Sequence, residues 1–212
     1  MFSLTKKELS LIRKLKTPLQ VQDFLNTIPI NHERDGVDRI KSPVRVLREG
    51  SAHCIEAAIL GAYILSTHGY KPLLMHLQTT KDDFEHVIAL FQKDGYWGAL
   101  SKTNHAVLRY RDPIYKTLRE LALSYFHEYT NSKGQKTLRS YSAPLDLRDF
   151  EDSWPLEEED LWGIDEALSQ VEHYSLVPKG VRLRKADPIE ISIGSIEEWP
   201  KKKGAYQKKV AN

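Results

Sequence analysis

The spacing of apolar residues predicts helices at the start of the chain. Apolar positions recur every three to four residues over 9–15, after a capping-box pattern that opens at Thr5, and again over 19–25. A third, shorter helix is predicted over 43–47. Each of these helices should bury one face and leave the other in water.

The next helix, predicted over 52–67, is apolar on nearly every side. Ser51 is the residue best suited to cap its start, and Gly69 takes the usual glycine position after its end. A helix without a polar face belongs in the interior of a domain. The sequence therefore predicts a buried central helix.

The pattern then changes to that of strands. Residues 73–77 form one strand, and the apolar runs 87–91 and 96–100 flank an Asp-Gly pair, which is a strong hairpin signal. Antiparallel pairing of these two runs places His86 opposite residues 101–103, give or take one residue.

The rest of the chain is predicted to form shorter elements and a charged end. The elements are a helix that starts at Asp112-Pro113 and buries Leu118, Leu121 and Tyr125, a loop over 130–139, a helix from the acidic stretch 151–160 to about Tyr174, and an edge strand with Ile189, Ile191 and Ile193. The lysines at 201–203, 208 and 209 are expected to be solvated. We therefore predict one domain over 1–178 and a charged carboxy-terminal extension, ordered in part at best, over 179–212.

The bulk composition narrows the class of protein. The chain has 212 residues, a formal net charge of +2 and one cysteine, which excludes an intramolecular disulfide. It shows neither a secretory signal nor an apolar run of about 18 residues, so we expect a cytoplasmic protein that does not contact membranes. The near-neutral charge disfavours nucleic acid as a partner, and the oligomeric state stays open.

The single cysteine, Cys54, falls in the predicted first turn of the central helix, where unpaired N–H groups and the helix dipole favour a thiolate. A catalytic thiol needs a base, and His86 at the entrance of the next apolar run is the candidate. The alternative is an ordinary buried core cysteine. His53, Cys54, His76 and His86 are also suitable metal-ligand types, but their spacing fits no known zinc pattern, so we expect neither a metal nor a cofactor.

The order of these motifs resembles that of the transglutaminase-like, or papain-like, superfamily of cysteine enzymes. The segment GSAHCIEA over 50–57 matches the family's nucleophile motif, with three residues rather than one between glycine and cysteine. His86 matches the family's histidine, and YWGAL over 96–100 matches the aromatic strand after it. Over the amino-terminal three-quarters, the chain is similar to uncharacterised bacterial members.

The resemblance implies a fold and an activity. The fold is α+β, with amino-terminal helices, a buried central helix that carries Cys54, and a small antiparallel sheet that carries His86. The activity is hydrolysis or acyl transfer at an amide, peptide or acyl-thioester bond, with a peptide or small amide or acyl compound as substrate.

One position departs from the family pattern. Ser101 stands four residues after Trp97, where the family usually has an aspartate that orients the histidine. Ser101 itself, Asn104, or Asp82 or Asp83 from the preceding loop could replace it. If none does, the site is a Cys–His dyad or a retired site, and the protein is then a non-catalytic binding or scaffold protein that retains the fold.

Three further residues are candidates for substrate binding. Trp97, Arg109 and Tyr110 follow or belong to the aromatic strand, and the last two can bind an anionic or planar group. Simple packing of arginine against tyrosine is the alternative. Glu56, a carboxylate on the apolar helix, is expected to act as a structural brace bonded to Arg45, Arg48 or a loop N–H.

Overall fold

The computed structural model of the protein describes residues 2–33 and 36–194. Within these residues the helices are α1 (Lys6–Lys14), α2 (Pro18–Thr27), α3 (Pro43–Glu49), α4 (Cys54–Ser66), α5 (Leu118–Phe126), α6 (Trp162–Gln170) and α7 (Pro188–Ile193). The strands are β1 (Leu73–Thr79), β2 (His86–Lys93), β3 (Tyr96–Leu100), β4 (Arg111–Tyr115), β5 (Leu138–Ser142), β6 (Leu145–Asp146) and β7 (His173–Ser175).

The strands form one antiparallel sheet that is larger than the small sheet expected from the sequence. Its order is β4-β3-β2-β1-β5-β7, and β6 pairs with β1. The predicted hairpin is present, with Ala89 opposite Leu100 and Gln92 opposite Trp97. The α+β class and the antiparallel arrangement are confirmed.

Helices cover both faces of the sheet, and this explains why its central strands have continuous apolar sequences. The central helix α4 packs on one face, where its own side chains join Ala89 and Leu100 in the core. On the other face α5 packs Leu121 and Tyr125 against a second apolar cluster. A strand that is buried on both faces has a continuous apolar sequence instead of an alternating one. This is the case for β2, whose first six residues are all buried.

The prediction of a buried central helix is confirmed. Ten of the thirteen residues of α4 are buried, and Gly69 adopts a positive φ of 89° after the helix end. Helices α1 and α2 also start where predicted, because the Thr5 and Thr17 side chains each accept a hydrogen bond from the backbone N–H three residues on.

The prediction of a helix that starts at Asp112-Pro113 was wrong. This segment is β4, at the edge of the sheet, where a proline without an N–H is tolerated. The helix starts later, at Leu118, because Thr117 and Glu120 form a capping box. A complete capping box is a stronger start signal than a proline alone.

The elements predicted near the carboxy terminus also need correction. The three isoleucines over 189–193 belong to α7 rather than to a strand, because the Asp187 side chain caps the N–H groups of Ile189 and Glu190. The helix expected to reach Tyr174 ends at Gln170, and β5 begins inside the expected loop. The lysine-rich segment over 201–209 lies outside the described residues.

Across residues 2–33 and 36–194, none of the helices has the length and apolar character needed to cross a membrane.

The close approach of β3 to its neighbours makes Gly98 a test of the sheet. A Cβ atom at this position would lie 2.8 Å from the carbonyl oxygen of Arg111 and would also clash with the buried ring of Phe91. We expect Gly98→Ala to lower the free energy of unfolding by about 2 kcal/mol or more, measured by urea denaturation. Gly163→Ala is the matched control, because a Cβ in α6 meets nothing within 4 Å. It should leave stability unchanged or raise it by roughly 0.5–1 kcal/mol. Equal stability of the two variants would contradict the tight packing at β3.

Candidate active site

Cys54 is the first residue of α4, and its N-cap is His53 rather than the expected Ser51. The helix cannot start earlier because Ala52 is held in extended structure. Its N–H donates to the Pro29 carbonyl at 3.0 Å, and its own carbonyl accepts from the Asn31 N–H at 3.1 Å. The half-buried thiol therefore sits at the helix N-terminus, beside N–H groups that no helix carbonyl can satisfy.

Glu56 fixes the start of this helix from inside the core. Its side chain is fully buried, and its two oxygens accept from the backbone N–H groups of His53 (2.9 Å) and Lys41 (3.1 Å). The Lys41 ammonium lies 3.9 Å away. Of the partners considered for Glu56, the loop N–H is the one present, since Arg45 pairs with Asp160 and Arg48 pairs with Glu8.

His86, the first residue of β2, contacts Ser101 just beyond the end of β3. The distance from His86 Nε2 to Ser101 Oγ is 2.6 Å, and the serine hydroxyl donates to the Leu108 carbonyl at 2.9 Å. A hydroxyl has one proton, which Leu108 takes, so Ser101 must accept from His86. Nε2 therefore carries a proton, and Nδ1 is the nitrogen left to face the Cys54 thiol.

Gln22 on α2 holds Ser101 in place. Its amide nitrogen donates to the Ser101 carbonyl at 2.9 Å, and its amide oxygen accepts from the Ser101 N–H at 3.0 Å. Both groups are buried, so this pair of bonds fixes the backbone that carries the hydroxyl.

The other candidates for the third position are engaged elsewhere. Asp83 accepts from the Thr137 hydroxyl and the Phe84 N–H, and Asp82 is exposed. Asn104 lines the same cavity as Cys54, but its Oδ1 is buried without a partner among the described residues. Of the alternatives weighed from the sequence, Ser101 is the one in contact with His86.

The surroundings of Cys54 favour a thiolate. Burial raises the pKa of the thiol, but hydrogen bonds and charge from His53 and His86 outweigh burial and hold that pKa well below its ordinary value. The helix N-terminus acts in the same direction. The thiol is therefore suited to act as a nucleophile near neutral pH.

A cavity of about 450 Å³ opens beside Cys54 and His86. Phe84, a residue that is 88% exposed, stands at the rim of this cavity, and Lys102, only 3% exposed, also lines it. Burial lowers the pKa of Lys102 to about 8, with a smaller contribution from Arg109. The ammonium has no ion-pair or hydrogen-bond partner within residues 2–33 and 36–194.

The three residues predicted to bind substrate do not line this cavity. Trp97 lines a separate cavity with His68 and Phe91. Tyr110 stacks on Phe91 at 5.9 Å between ring centroids, and Arg109 donates to the Thr103 carbonyl. Sequence neighbourhood was misleading here, because β3 and the segment after it carry these side chains away from Cys54.

Sequence reasoning considered His53 only as a possible metal ligand, and it missed Gln22, Phe84 and Lys102. Phe84 and Lys102 lie within two residues of His86 and Ser101, so adjacency to those positions was an available signal. Gln22 contacts Ser101 across 79 positions of sequence, and nothing in its local pattern indicates this.

The low pKa of Cys54 predicts fast alkylation by iodoacetamide at acidic pH. Because Cys54 is the only cysteine, the rate reports this thiol alone. We expect the rate to reach half its plateau well below pH 8.5, the value of an ordinary thiol, and to shift upward in His86→Ala. A wild-type profile centred near pH 8.5 would contradict the geometry described above.

Comparisons with known proteins give a family match and a weak structural likeness. A family model described as vasohibin matches residues 43–139, a little under half of the chain. Solved structures of LapG from Legionella pneumophila are 20% identical over alignments that cover 43% of this chain and 57% of LapG, with TM-scores of 0.37, 0.36 for the calcium-bound form and 0.37 for the EGTA-treated form. The chain thus spans less than two thirds of the length of LapG, and comparison with curated proteins gives no match. Vasohibin is a transglutaminase-like, cysteine-protease-like family, so the match over residues 43–139 confirms the predicted resemblance to the transglutaminase-like superfamily of cysteine enzymes.

Proposed function

We propose that the protein is a cysteine-dependent hydrolase or acyltransferase that acts on an amide, peptide or acyl-thioester bond. Cys54 is the nucleophile, His86 is the general base and acid, and Ser101 orients the imidazole. The observation that carries the proposal is the hydrogen-bonded chain from the Leu108 carbonyl through Ser101 to His86, which lines the same cavity as the Cys54 thiol.

Acylation starts from the Cys54 thiolate and the His86 imidazolium. The sulfur attacks the substrate carbonyl, a C–S bond forms, and the carbonyl oxygen becomes an oxyanion. The N–H of Cys54, at the helix start, is positioned to donate to that oxygen. His86 then gives its Nδ1 proton to the leaving nitrogen as the C–N bond breaks, which leaves a thioester and a neutral imidazole.

Deacylation reverses the role of His86. The neutral imidazole takes a proton from water or an amine, which attacks the thioester carbonyl. The C–S bond breaks, its electron pair returns to sulfur, and the starting ion pair is restored.

A serine in place of the usual aspartate is compatible with this cycle. In a serine triad the orienting carboxylate is worth about 10⁴ in kcat, because it fixes the tautomer and stabilises the imidazolium. Ser101 supplies the first of these effects without the second. Cysteine depends less on the second effect, since a thiolate forms readily and is intrinsically nucleophilic.

Two residues that line the cavity favour a substrate that carries both an anionic and an apolar group. Lys102 is a buried cation with no ion-pair or hydrogen-bond partner among the described residues, so it favours a substrate with an anionic group near the reacting carbonyl. Phe84 is an exposed ring on a fixed backbone, since its N–H donates to Asp83 and its carbonyl accepts from Tyr129 at 2.6 Å. We propose that it contacts an apolar group of the same substrate.

The function is tested with a panel of peptide amides and thioesters that carry acidic and apolar side chains, scored by product release and by intact mass of the enzyme. We expect turnover and a transient mass increase equal to the acyl group, both absent in Cys54→Ala. Ser101→Ala should lower kcat roughly 5- to 150-fold with little change in KM, because an unpaired buried donor costs about 1–3 kcal/mol.

Folding of these variants is checked by thermal unfolding. If folded wild-type protein with a low-pKa thiol forms no acyl-enzyme with any class in the panel, the acyl-transfer proposal fails. Full activity of the Ser101→Ala variant would contradict the proposal that Ser101 orients the His86 imidazole.

Lys102 gives a prediction about substrate charge and pH. Because its pKa is lowered to about 8, the ammonium loses its proton above that pH, and KM for acidic substrates should rise there. Lys102→Met should raise KM for acidic substrates roughly tenfold or more at pH 7, with no such effect on uncharged ones. Lys81→Met, at an exposed position of the loop before Phe84, is the control and should change neither constant. Equal effects on acidic and uncharged substrates would contradict an anion-binding role.

A further inference from the structure

Two histidines on different strands, His76 of β1 and His173 of β7, contact each other across the strand that separates them. The distance from His76 Nδ1 to His173 Nε2 is 3.1 Å. Ser142 of β5 pairs with His173, and its hydroxyl accepts from the His76 backbone N–H at 2.9 Å. A serine in this central strand leaves room for the two longer side chains to meet.

The outer nitrogen of each ring faces an atom that can only accept a hydrogen bond. His76 Nε2 lies 3.0 Å from Glu85 Oε2, and His173 Nδ1 lies 2.8 Å from the Val171 carbonyl oxygen. Because a carboxylate and a carbonyl have no proton to donate, both outer nitrogens carry protons. A neutral imidazole has one N–H, so two neutral rings would leave two lone pairs facing each other at 3.1 Å.

We propose that His76 and His173 share one additional proton in the folded protein, and that they form an acid-sensitive latch between β1, β7 and Glu85 that a second proton opens. One additional proton completes the chain of three hydrogen bonds from Glu85 to Val171. It also gives the pair one positive charge beside the carboxylate. A second additional proton would bring two N–H groups and two positive charges face to face, and the rings would have to separate.

The charged groups around His76 agree with this arrangement. Glu85 faces the ring from the loop before β2, His173 faces it from β7, and Asp165 of α6 acts on it through its charge. Burial lowers the pKa of His76, Glu85 and Asp165 raise it, and the charge of His173 lowers it, with a net direction downward. His76 is therefore the ring that resists the second proton.

The latch joins an edge strand to the segment that carries the candidate base. β7 is three residues long and stands at the end of the strand order, next to β5. Glu85 directly precedes His86 and lines the Cys54 cavity. The His86 side chain lies on the other face of the sheet, because Val87 is the residue opposite His76. Opening of the latch therefore frees β7 and releases the Glu85 carboxylate beside the cavity.

The latch determines the sign of a pH effect on stability. In the unfolded chain each histidine binds a proton below a pH of about 6.5, so the unfolded chain binds two protons here and the closed latch binds one. Stability is then present above this pH and is lost as the pH falls below it. A deficit of one proton raises the equilibrium constant for unfolding about tenfold per pH unit.

The first experiment is NMR of the ring nitrogens in ¹⁵N-labelled protein. At pH 7 we expect a scalar coupling across the hydrogen bond between His173 Nε2 and His76 Nδ1, together with a protonated His173 Nδ1 and a protonated His76 Nε2. On acidification both rings should change in one transition, and the coupling should disappear. His76→Gln and His173→Gln assign the signals.

The second experiment is urea unfolding between pH 5 and 7.5 in wild type and His76→Gln. The variant amide can still donate to Glu85, and His173 is then the one imidazole left, so it can take up its proton in the folded state. Below pH 6.5 the unfolding constant of wild type should rise about tenfold more per pH unit than that of the variant. If His76→Gln does not fold, His173→Gln at the half-buried position gives the same comparison, because it also leaves one imidazole.

His68→Gln is the matched control, because the His68 ring contacts a single acceptor, the Ile12 carbonyl at 3.0 Å, and needs no additional proton. Its pH dependence should follow that of wild type. Equal pH dependence of wild type and His76→Gln, or no coupling between the two rings at any pH, would overturn the inference. Neither measurement uses the Cys54 thiol or a substrate, so failure of the latch and failure of the proposed function are distinguishable.

Discussion

The buried carboxylate of Glu56 is the constraint on which the candidate site depends. A carboxylate inside an apolar helix is costly unless each oxygen has a donor, and Glu56 meets this condition with the N–H groups of His53 and Lys41. These two bonds join the first turn of α4 to the segment before α3. They fix the residue at which the helix begins, and so they fix the position of the Cys54 sulfur.

The second half of the site is fixed by a different set of bonds. Ser101 lies just past the end of β3, where the sheet no longer determines the backbone, and Gln22 replaces the missing strand partner with two hydrogen bonds. The Ser101 hydroxyl donates to the Leu108 carbonyl, and this bond leaves the oxygen lone pairs free to accept from His86. A helix that precedes the nucleophile in sequence therefore positions the group that orients the base, and the two halves meet only when α2, α4 and the sheet have packed.

The parts that sequence predicts well are those with local causes. Thr5 and Thr17 open helices through capping boxes, Asp94-Gly95 closes the hairpin, and an apolar segment without a polar face becomes α4. Local patterns failed where two signals competed, as at Pro113, where sheet pairing and the capping box at Thr117 prevailed.

The candidate site divides in the same way. Motif order predicted Cys54 and His86 as a pair, and the register of the hairpin placed His86 opposite residues 101–103. These local signals were enough to predict that Cys54, His86 and Ser101 belong to one site. Lys102 and Phe84 are adjacent to those residues, but their direction relative to the cavity depends on how the loops pack. Gln22 acts across most of the domain, and only tertiary structure reveals such a contact.

The distribution of charge distinguishes this site from a triad with an aspartate. In that arrangement the carboxylate supports the imidazole that moves the proton. Here the base is supported by a neutral hydroxyl, and the nearby carboxylates of Glu33 and Glu56 face His53 instead. A neutral partner fixes the tautomer of His86 without adding charge, so the negative groups of the site lie beside His53 rather than behind the base.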